Sequence, residues 1–153
     1  MTKELATHRD TMSGWEFVRI NARLADLLTE ALDERRAPYQ DRLASIAKDA
    51  AAHIERYSDD PALTPAAIAD HLGCSRRQLE LALRTMNTAP ALFLRETRLK
   101  RARRRLRDPF TVGTVDAIAF ASGFSSLSAF REAFRKRYGV QPGQVREARA
   151  RKA

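Results

Sequence analysis

The sequence has few of the features that mark several common protein classes. Its 153 residues include one cysteine, Cys74, which excludes an internal disulfide framework and fits a reducing cytoplasm. No run of about 18 apolar residues occurs, so a membrane-spanning helix is not expected. The polar start shows no evident secretory signal. Strand-like alternation is also scarce and helix formers dominate, so we expect an all-α protein.

Residue types that support catalysis or metal binding are equally sparse. The soft ligand candidates are His8, His53, His71 and Cys74. His71 and Cys74 flank a predicted helix end, and no second pair completes a zinc site. The segment 139–143 is too short for a phosphate-binding loop and lacks its lysine. The sequence therefore predicts no catalytic residue, no cofactor, no metal and no enzyme.

Acidic residues become scarce after residue 60. Residues 1–60 hold nine basic and 12 acidic residues, whereas residues 61–153 hold 19 basic and seven acidic ones. The second part therefore carries a net charge of +12, and the whole chain +9. A basic region behind a near-neutral front end indicates a polyanion partner for that region, with nucleic acid favoured over membrane.

The stretch 64–86 predicts two short helices around a tight turn. Thr64 caps the first helix and Pro65 occupies its first position. Gly73 ends that helix, and Ser75 with Gln78 forms a capping box for the next one. This is the pattern of a helix-turn-helix whose second helix enters a major groove. The second helix is expected to turn Leu79, Ala82, Leu83 and Met86 inward, and Arg76, Arg77, Glu80, Leu81 and Arg84 outward.

The same pattern returns about 50 residues later. Residues 114–119 repeat residues 64–69 at an offset of 50, and Gly123 takes the place of Gly73. Ser125 and Ser126 offer caps for a second outer helix, whose turn is one residue longer. The expected inward residues of this helix are Phe130, Ala133, Phe134 and Tyr138. In this register Arg77, Glu80 and Leu81 correspond to Ser128, Arg131 and Glu132.

A long helix from Pro90 to about Arg107 joins the two units. Leu92 or Phe93 is expected to face inward, together with Leu99, Ala102 and Leu106. About 18 helical residues span roughly 27 Å, which is close to the ~34 Å between successive major-groove faces on one side of a duplex. One chain can therefore read two adjacent major-groove segments. The helix carries seven cations within ten residues: Arg98, Lys100, Arg101, Arg103, Arg104, Arg105 and Arg107.

The front of the chain predicts a separate amphipathic helix. Ser13 and Glu16 form a capping box for a helix over residues 15–36, and Pro38 predicts a linker or bend at residues 35–41. A further helix then runs to about Tyr57, with Leu43, Ile46, Ala50, Ile54 and Tyr57 inward. The apolar stripe of the first helix packs either on its own domain or on a second copy, so we expect a monomer or a weak homodimer through residues 15–36. This stripe comprises Phe17, Ile20, Leu24, Leu27, Leu28 and Ala31.

Residues 46–146 resemble the DNA-binding domain of the AraC/XylS transcription regulators. The resemblance implies seven helices in two subdomains, DNA bent between adjacent major grooves, and transcription control, most often activation through RNA polymerase in the bacterial nucleoid. The chain departs from the family's pattern at Gln141, Val145 and Leu81, and over residues 110–113. The matching residues are Ile68-Ala69, Gly73, Ser75, Leu79, Pro90, Phe93-Leu94, Arg98-Leu99, Ala102, Ile118-Ala119, Gly123-Phe124, Ser128, Phe130, Phe134, Gly139, Pro142 and Arg146.

These patterns together predict a domain plan and a functional site. Residues 1–41 are expected to form a tail and an amphipathic helix, a dimerisation remnant, and residues 14–36 resemble the closing helix of the family's sensing domain. Residues 42–153 form the DNA-binding domain, with subdomains 42–88 and 108–153 around the linker helix 89–107. The expected base-reading residues are Arg76, Arg77, Glu80, Leu81, Leu127, Ser128, Arg131 and Glu132. The expected phosphate contacts are Thr64, Ser75, Arg84, Arg101, Arg104, Thr114, Ser126 and Arg135.

Several alternatives remain open on the sequence alone. Glu80 and Glu132 either accept from cytosine or orient a neighbouring arginine, and Leu81 either touches a thymine methyl or is buried. The basic charge also fits a non-specific architectural or RNA-binding protein, and the front stripe fits a protein-interaction module. Full-length members of the family carry a large sensing domain. This chain is expected to be either a compact regulator controlled by its own abundance or a piece of a longer one, and the first is favoured.

Overall fold

The sequence forms helices throughout the part of the chain that can be described. A computed structural model describes residues 14–150, with side chains described for residues 19–30 and 37–149. No strand occurs within these residues, which confirms the all-α prediction. Their seven helices are α1 (Gly14–Tyr57), α2 (Pro65–His71), α3 (Arg76–Arg84), α4 (Pro90–Arg107), α5 (Val115–Ala121), α6 (Leu127–Tyr138) and α7 (Pro142–Ala150).

Local capping sets both helix-turn-helix units. The Thr64 hydroxyl accepts from the Ala67 N–H at 3.2 Å, and the Thr114 hydroxyl accepts from the Ala117 N–H at 3.1 Å. Ser75 completes the predicted capping box, because its hydroxyl accepts from the Gln78 N–H and its own N–H donates to the Gln78 side chain. The α2–α3 and α5–α6 turns pass through glycines with positive φ, +60° and +88° respectively.

The helices from Leu43 onward enclose two apolar clusters that share one helix. Helix α4 supplies Leu94 to the first cluster and Leu99, Ala102 and Leu106 to the second, so it connects the two cores as predicted. The first cluster also contains Leu43, Ile46, Ala47, Ala50, Ile54, Leu63, Ile68, Ala69, Leu79, Ala82 and Leu83. The second also contains Ile118, Ala119, Phe124, Phe130 and Phe134.

The predicted linker at residues 35–41 is wrong, because helix α1 continues through Pro38. A proline inside a helix removes one backbone hydrogen bond. Pro38 is exposed, so the position is open to water, which can take the place of the missing donor. The chain nevertheless divides into two compact segments, one ending at Arg42 and the other beginning at Leu43. The capping box predicted at Ser13 lies outside the described residues.

Two apolar residues are more exposed than the helical spacing predicts. Tyr57 and Met86 were expected inward but are 43% and 45% exposed. Tyr57 is the last residue of α1, and Met86 follows the end of α3 at Arg84, so both lie at helix ends rather than in the middle of a core-facing stripe. Of the alternatives at the start of α4, Phe93 packs on the first core and Leu92 is exposed.

Candidate nucleic-acid interface

Helix α3 presents a charged outer face beside a half-buried leucine. Its inner residues Leu79, Ala82 and Leu83 are buried in the first core. Leu81 is partly buried and packs against the same core, so only its edge is open to a ligand. The predicted base-reading residues Arg76, Arg77 and Glu80 and the predicted phosphate contact Arg84 are all exposed.

Helix α6 presents the second outer face. Phe130 and Phe134 hold the helix to the second core, and Leu127 packs partly against it. The Arg131 guanidinium donates to the Asp116 carboxylate of α5 at 2.8 Å, and both side chains are about half exposed. An exposed ion pair of this kind stabilises the fold little. The exposed predicted residues of α6 are Ser128, Arg131, Glu132 and Arg135.

The four capping hydroxyls accept one hydrogen bond each and can also donate one. Each of Thr64, Ser75, Thr114 and Ser126 accepts a backbone N–H and lies exposed at a helix start. A hydroxyl also has a proton to donate. The Ser126 hydroxyl lies 3.0 Å from that of Ser128, where either oxygen can be the donor. A phosphate oxygen at any of these helix starts therefore meets a hydroxyl donor and the positive end of a helix dipole.

The side chains of three arginines of α4 donate hydrogen bonds to other segments of the same chain, which the sequence reasoning missed. Arg98 donates to the carbonyl oxygens of Ser58 at 2.8 Å, Asp60 at 2.8 Å and Leu63 at 3.1 Å. Burial lowers the pKa of Arg98, although nearby Asp60 opposes that shift. The side chain therefore fixes the loop between α1 and α2 to the linker helix.

Arg101 and Arg105 continue this row. Arg101 donates to the backbone carbonyls of Glu55 and Arg56 and pairs with the Asp59 carboxylate at 3.1 Å. Arg105 donates to the Ala121 carbonyl and to the Ser122 hydroxyl at the end of α5. Because the Arg101 guanidinium is already occupied, this geometry weighs against the phosphate contact predicted there.

The sequence shows the position of these three arginines on α4 but not their hydrogen-bond partners. Arg98, Arg101 and Arg105 each directly precede a buried residue of α4. This spacing places them along one edge of the buried face, where their stems lie against the core and their guanidinium groups reach neighbouring loops. Lys100, Arg103, Arg104 and Arg107 remain exposed on the same helix.

Two further contacts connect the second helix-turn-helix unit to the rest of the domain, one to the loop between α1 and α2 and one to α4. A Cβ placed on Gly123 would lie 2.3 Å from the Ser58 carbonyl oxygen and 2.7 Å from Arg98 Nε, so the α5–α6 turn packs directly on the tethered loop. On another side, Arg137 of α6 donates to the Glu96 carboxylate of α4 at 2.6 Å, and Glu96 raises the pKa of Arg137. The segments carrying the two outer helices are therefore fixed to a common helix.

The part of the chain that the structure describes contains no helix that is both long and apolar enough to cross a membrane. Within the same residues, His, Cys, Asp and Glu side chains form no group of three that could hold a metal ion.

Comparison with known proteins places this geometry among transcription regulators. A family model described as a helix-turn-helix domain matches residues 68–148. The HTH-type transcriptional regulator ArgR of Pseudomonas aeruginosa is 33% identical over 130 residues, which cover 82% of this chain. The chain spans only 39% of the length of that relative.

Solved structures share the fold. The C-terminal domain of AraT, a response regulator from Geobacillus stearothermophilus, matches 71% of this chain and 88% of its own, with a TM-score of 0.64 and 27% identity. A probable AraC family transcriptional regulator from Rhodopseudomonas palustris matches 69% of this chain and 97% of its own, with a TM-score of 0.62 and 26% identity.

Proposed function

Because this chain belongs to the AraC/XylS family of helix-turn-helix transcription regulators, we propose that it binds double-stranded DNA sequence-specifically and regulates transcription. One observation carries the proposal. Helices α3 and α6 are both capped, follow a glycine turn and have an exposed polar face. Each packs in an apolar cluster to which the linker helix α4 contributes. Such helices suit adjacent major-groove segments of one duplex.

Base reading falls to the exposed side chains of the two helices. Arg77 and Arg131 have the bidentate guanidinium that suits guanine O6 and N7, and Glu80 can accept from cytosine N4. Arg131 is about half exposed and its contact with Asp116 is a single exposed ion pair, so its guanidinium remains accessible to a base. Leu81 and Leu127 contribute at most an exposed edge to a thymine methyl, because both pack on a core. Arg76, Ser128 and Glu132 complete the proposed set.

Phosphate binding falls to the capping hydroxyls and to three exposed arginines. Thr64, Ser75, Thr114 and Ser126 are the hydroxyl donors of the proposed set. Arg84, Arg104 and Arg135 supply charge at the ends of α3, α4 and α6, and all three are exposed. The occupied Arg101 is left out of this set.

A competition gel shift tests the function directly. A labelled site selected from random DNA is titrated with the protein and challenged with unlabelled specific or random duplex. A sequence-specific regulator prefers its site by about 10³-fold or more. A ratio near one supports the alternative function, a non-specific architectural protein, which the +12 charge of residues 61–153 alone would allow.

We further propose that the protein activates transcription through RNA polymerase. We propose that it does so in the bacterial cytoplasm, associated with the nucleoid. Family membership supports this direction of control. Transcription in vitro from a promoter with the selected site upstream is expected to rise when the protein is added. A fall in transcript would identify a repressor instead.

The stripe on α1 supports a weak homodimer. Ile20, Leu24, Leu27 and Leu28 lie at helical spacing and are 47–63% exposed, so their apolar surface is available to a second copy. Sedimentation of the full chain is expected to show a mass that rises with concentration. Leu24→Glu should abolish that rise while Asn21→Glu, an equally charged change, should not. A concentration-independent monomer in the wild-type protein would contradict the proposal.

A further inference from the structure

A groove at the C-terminal end of the second unit is not used by the proposed DNA contacts. It has a volume of about 800 Å³ and lies between the last turns of α4, the end of α6 and helix α7. Its apolar wall includes Pro109, Tyr138, Val140, Val145 and Ala148. This size and mostly apolar lining are typical of sites for small organic ligands.

The charged groups at this groove all have one sign. Arg103, Arg107 and Arg149 line it, and no carboxylate does. The neighbouring Asp108 carboxylate, outside the lining, accepts from the Thr111 hydroxyl at 2.8 Å and from the Phe110 N–H at 3.0 Å, and these contacts lower its pKa, so it stays charged beside Arg149. The groove therefore combines an apolar floor with a cationic rim.

Internal contacts hold the walls in place. The Arg149 guanidinium donates to the Pro109 carbonyl at 2.8 Å and to the Thr111 carbonyl at 3.4 Å, which fixes the loop after α4. The Arg103 guanidinium lies 4.6 Å from the centre of the Tyr138 ring. Burial raises the pKa of Tyr138, so its hydroxyl remains a proton donor at neutral pH.

The groove lies away from the base-reading end of α6. Ser128 and Tyr138 are ten residues apart on one helix, which corresponds to about 15 Å. From this shape, charge and position, we propose that the groove binds a small organic carboxylate with an apolar body. The carboxylate meets Arg107 and Arg103 at the rim, and the apolar body lies against Val140 and Val145.

The test uses 4-phenylbutyrate as the probe, with two matched compounds. Binding to the full chain is measured by calorimetry and by methyl NMR shifts of Val140 and Val145. 4-Phenylbutan-1-ol keeps the apolar body without the charge, and acetate keeps the charge without the body. We expect saturable 4-phenylbutyrate shifts at both valines, and affinities about tenfold or more lower for the other two compounds.

Variants separate this site from general attraction to a basic protein. Arg107→Gln is expected to weaken 4-phenylbutyrate about three- to fivefold. Val140→Asp, which places a like charge beside the carboxylate, is expected to weaken it further. Lys136→Gln removes an equal charge from exposed α6 surface outside this groove and should leave the affinity unchanged.

Three results would overturn the proposal. The first is the absence of a saturable response at Val140 and Val145. The second is equal weakening by Arg107→Gln and Lys136→Gln, which would mean general anion attraction. The third is saturation by an acidic Leu/Glu helical peptide without any response to 4-phenylbutyrate, which would make the groove a protein-docking site. None of these readouts involves DNA, so failure here leaves the proposed regulator function standing.

Discussion

Gly123 packs directly against the loop between α1 and α2, where no side chain fits. Its φ of +88° suits glycine, and an added Cβ would meet the Ser58 carbonyl oxygen at 2.3 Å and the Asp59 Cα at 3.1 Å. Backbone atoms cannot move aside as a flexible side chain can. We expect Gly123→Ala to lower the free energy of unfolding by about 3 kcal/mol or more, from left-handed strain and overpacking together. Urea unfolding followed by circular dichroism measures this change.

Two other glycines provide the controls for that measurement. Gly73 has a φ of +60° but nothing within 4 Å of an added Cβ, so Gly73→Ala should show the conformational cost alone, about 1–2 kcal/mol. Gly143 is helical with the same open surroundings, so Gly143→Ala should be neutral or stabilising. Equal losses at Gly73 and Gly123 would mean that contact with the Ser58 loop is unimportant.

Replacing an exposed arginine and replacing one that bonds the protein's own backbone should have different effects on DNA binding and on stability. Arg84 is exposed at the end of α3, whereas Arg101 bonds the last carbonyls of α1 and pairs with Asp59. We expect Arg84→Ala to reduce the salt slope of DNA binding by about one unit and to change stability by less than about 0.5 kcal/mol. Arg101→Ala should do the opposite, with a stability loss of about 1–2 kcal/mol and an unchanged slope. If Arg101→Ala reduced the salt slope of DNA binding, Arg101 would contact a phosphate after all.

At the scale of helices, the α1–α2 contact includes a pair of stacked imidazole rings. The ring centres of His53 and His71 lie 4.0 Å apart. Burial, and then the neighbouring His71, lower the pKa of His53 below its ordinary value of 6.5. As the pH falls through 6.5, the unfolded chain therefore takes up a proton before the folded one does.

Stability should consequently fall as the pH is lowered from about 7 through 6.5 towards the lower pKa of folded His53. Replacing His53 by Gln removes this titration, so we expect a shallower loss of unfolding free energy over that range. Denaturant unfolding at a series of pH values measures the slope. A His53→Gln protein with the wild-type slope would exclude this contact as its source.

Helix ends were predictable from the sequence because their causes are local. The Ser75–Gln78 capping box and the glycine turns at Gly73 and Gly123 lie within a few residues of the structure that they determine. The continuation of α1 through Pro38 was not predictable in this way. Its local signal favours a break, and only the surroundings of the helix decide whether the missing hydrogen bond is tolerated.

At the scale of the whole molecule, the plan of two helix-turn-helix units follows from an internal repeat, but the contacts that tie the units to α4 do not. The repeat of residues 64–69 in residues 114–119 predicts two similar units on one helix. The tethers through Arg98, Arg101 and Arg105 depend on which backbone carbonyls other helices bring near, and no sequence period encodes that. From the sequence alone, these cations therefore count among the charges of the linker helix, and Arg101 is expected at a phosphate. Base-reading roles stay predictions, because they depend on a partner as well as on the chain.

The central claim is that α3 and α6 each recognise a separate segment of one DNA site. The most direct test is to select bound sites from random DNA with the wild-type protein, with Arg77→Ala and with Arg131→Ala. The wild-type protein should enrich a site with two preferred segments about 10 base pairs apart between centres. Arg77→Ala should relax the preference in one segment and Arg131→Ala in the other, each at a cost of about 1–3 kcal/mol on the wild-type site. Relaxation of the same segment by both changes, or no enriched sequence at all, would contradict the account.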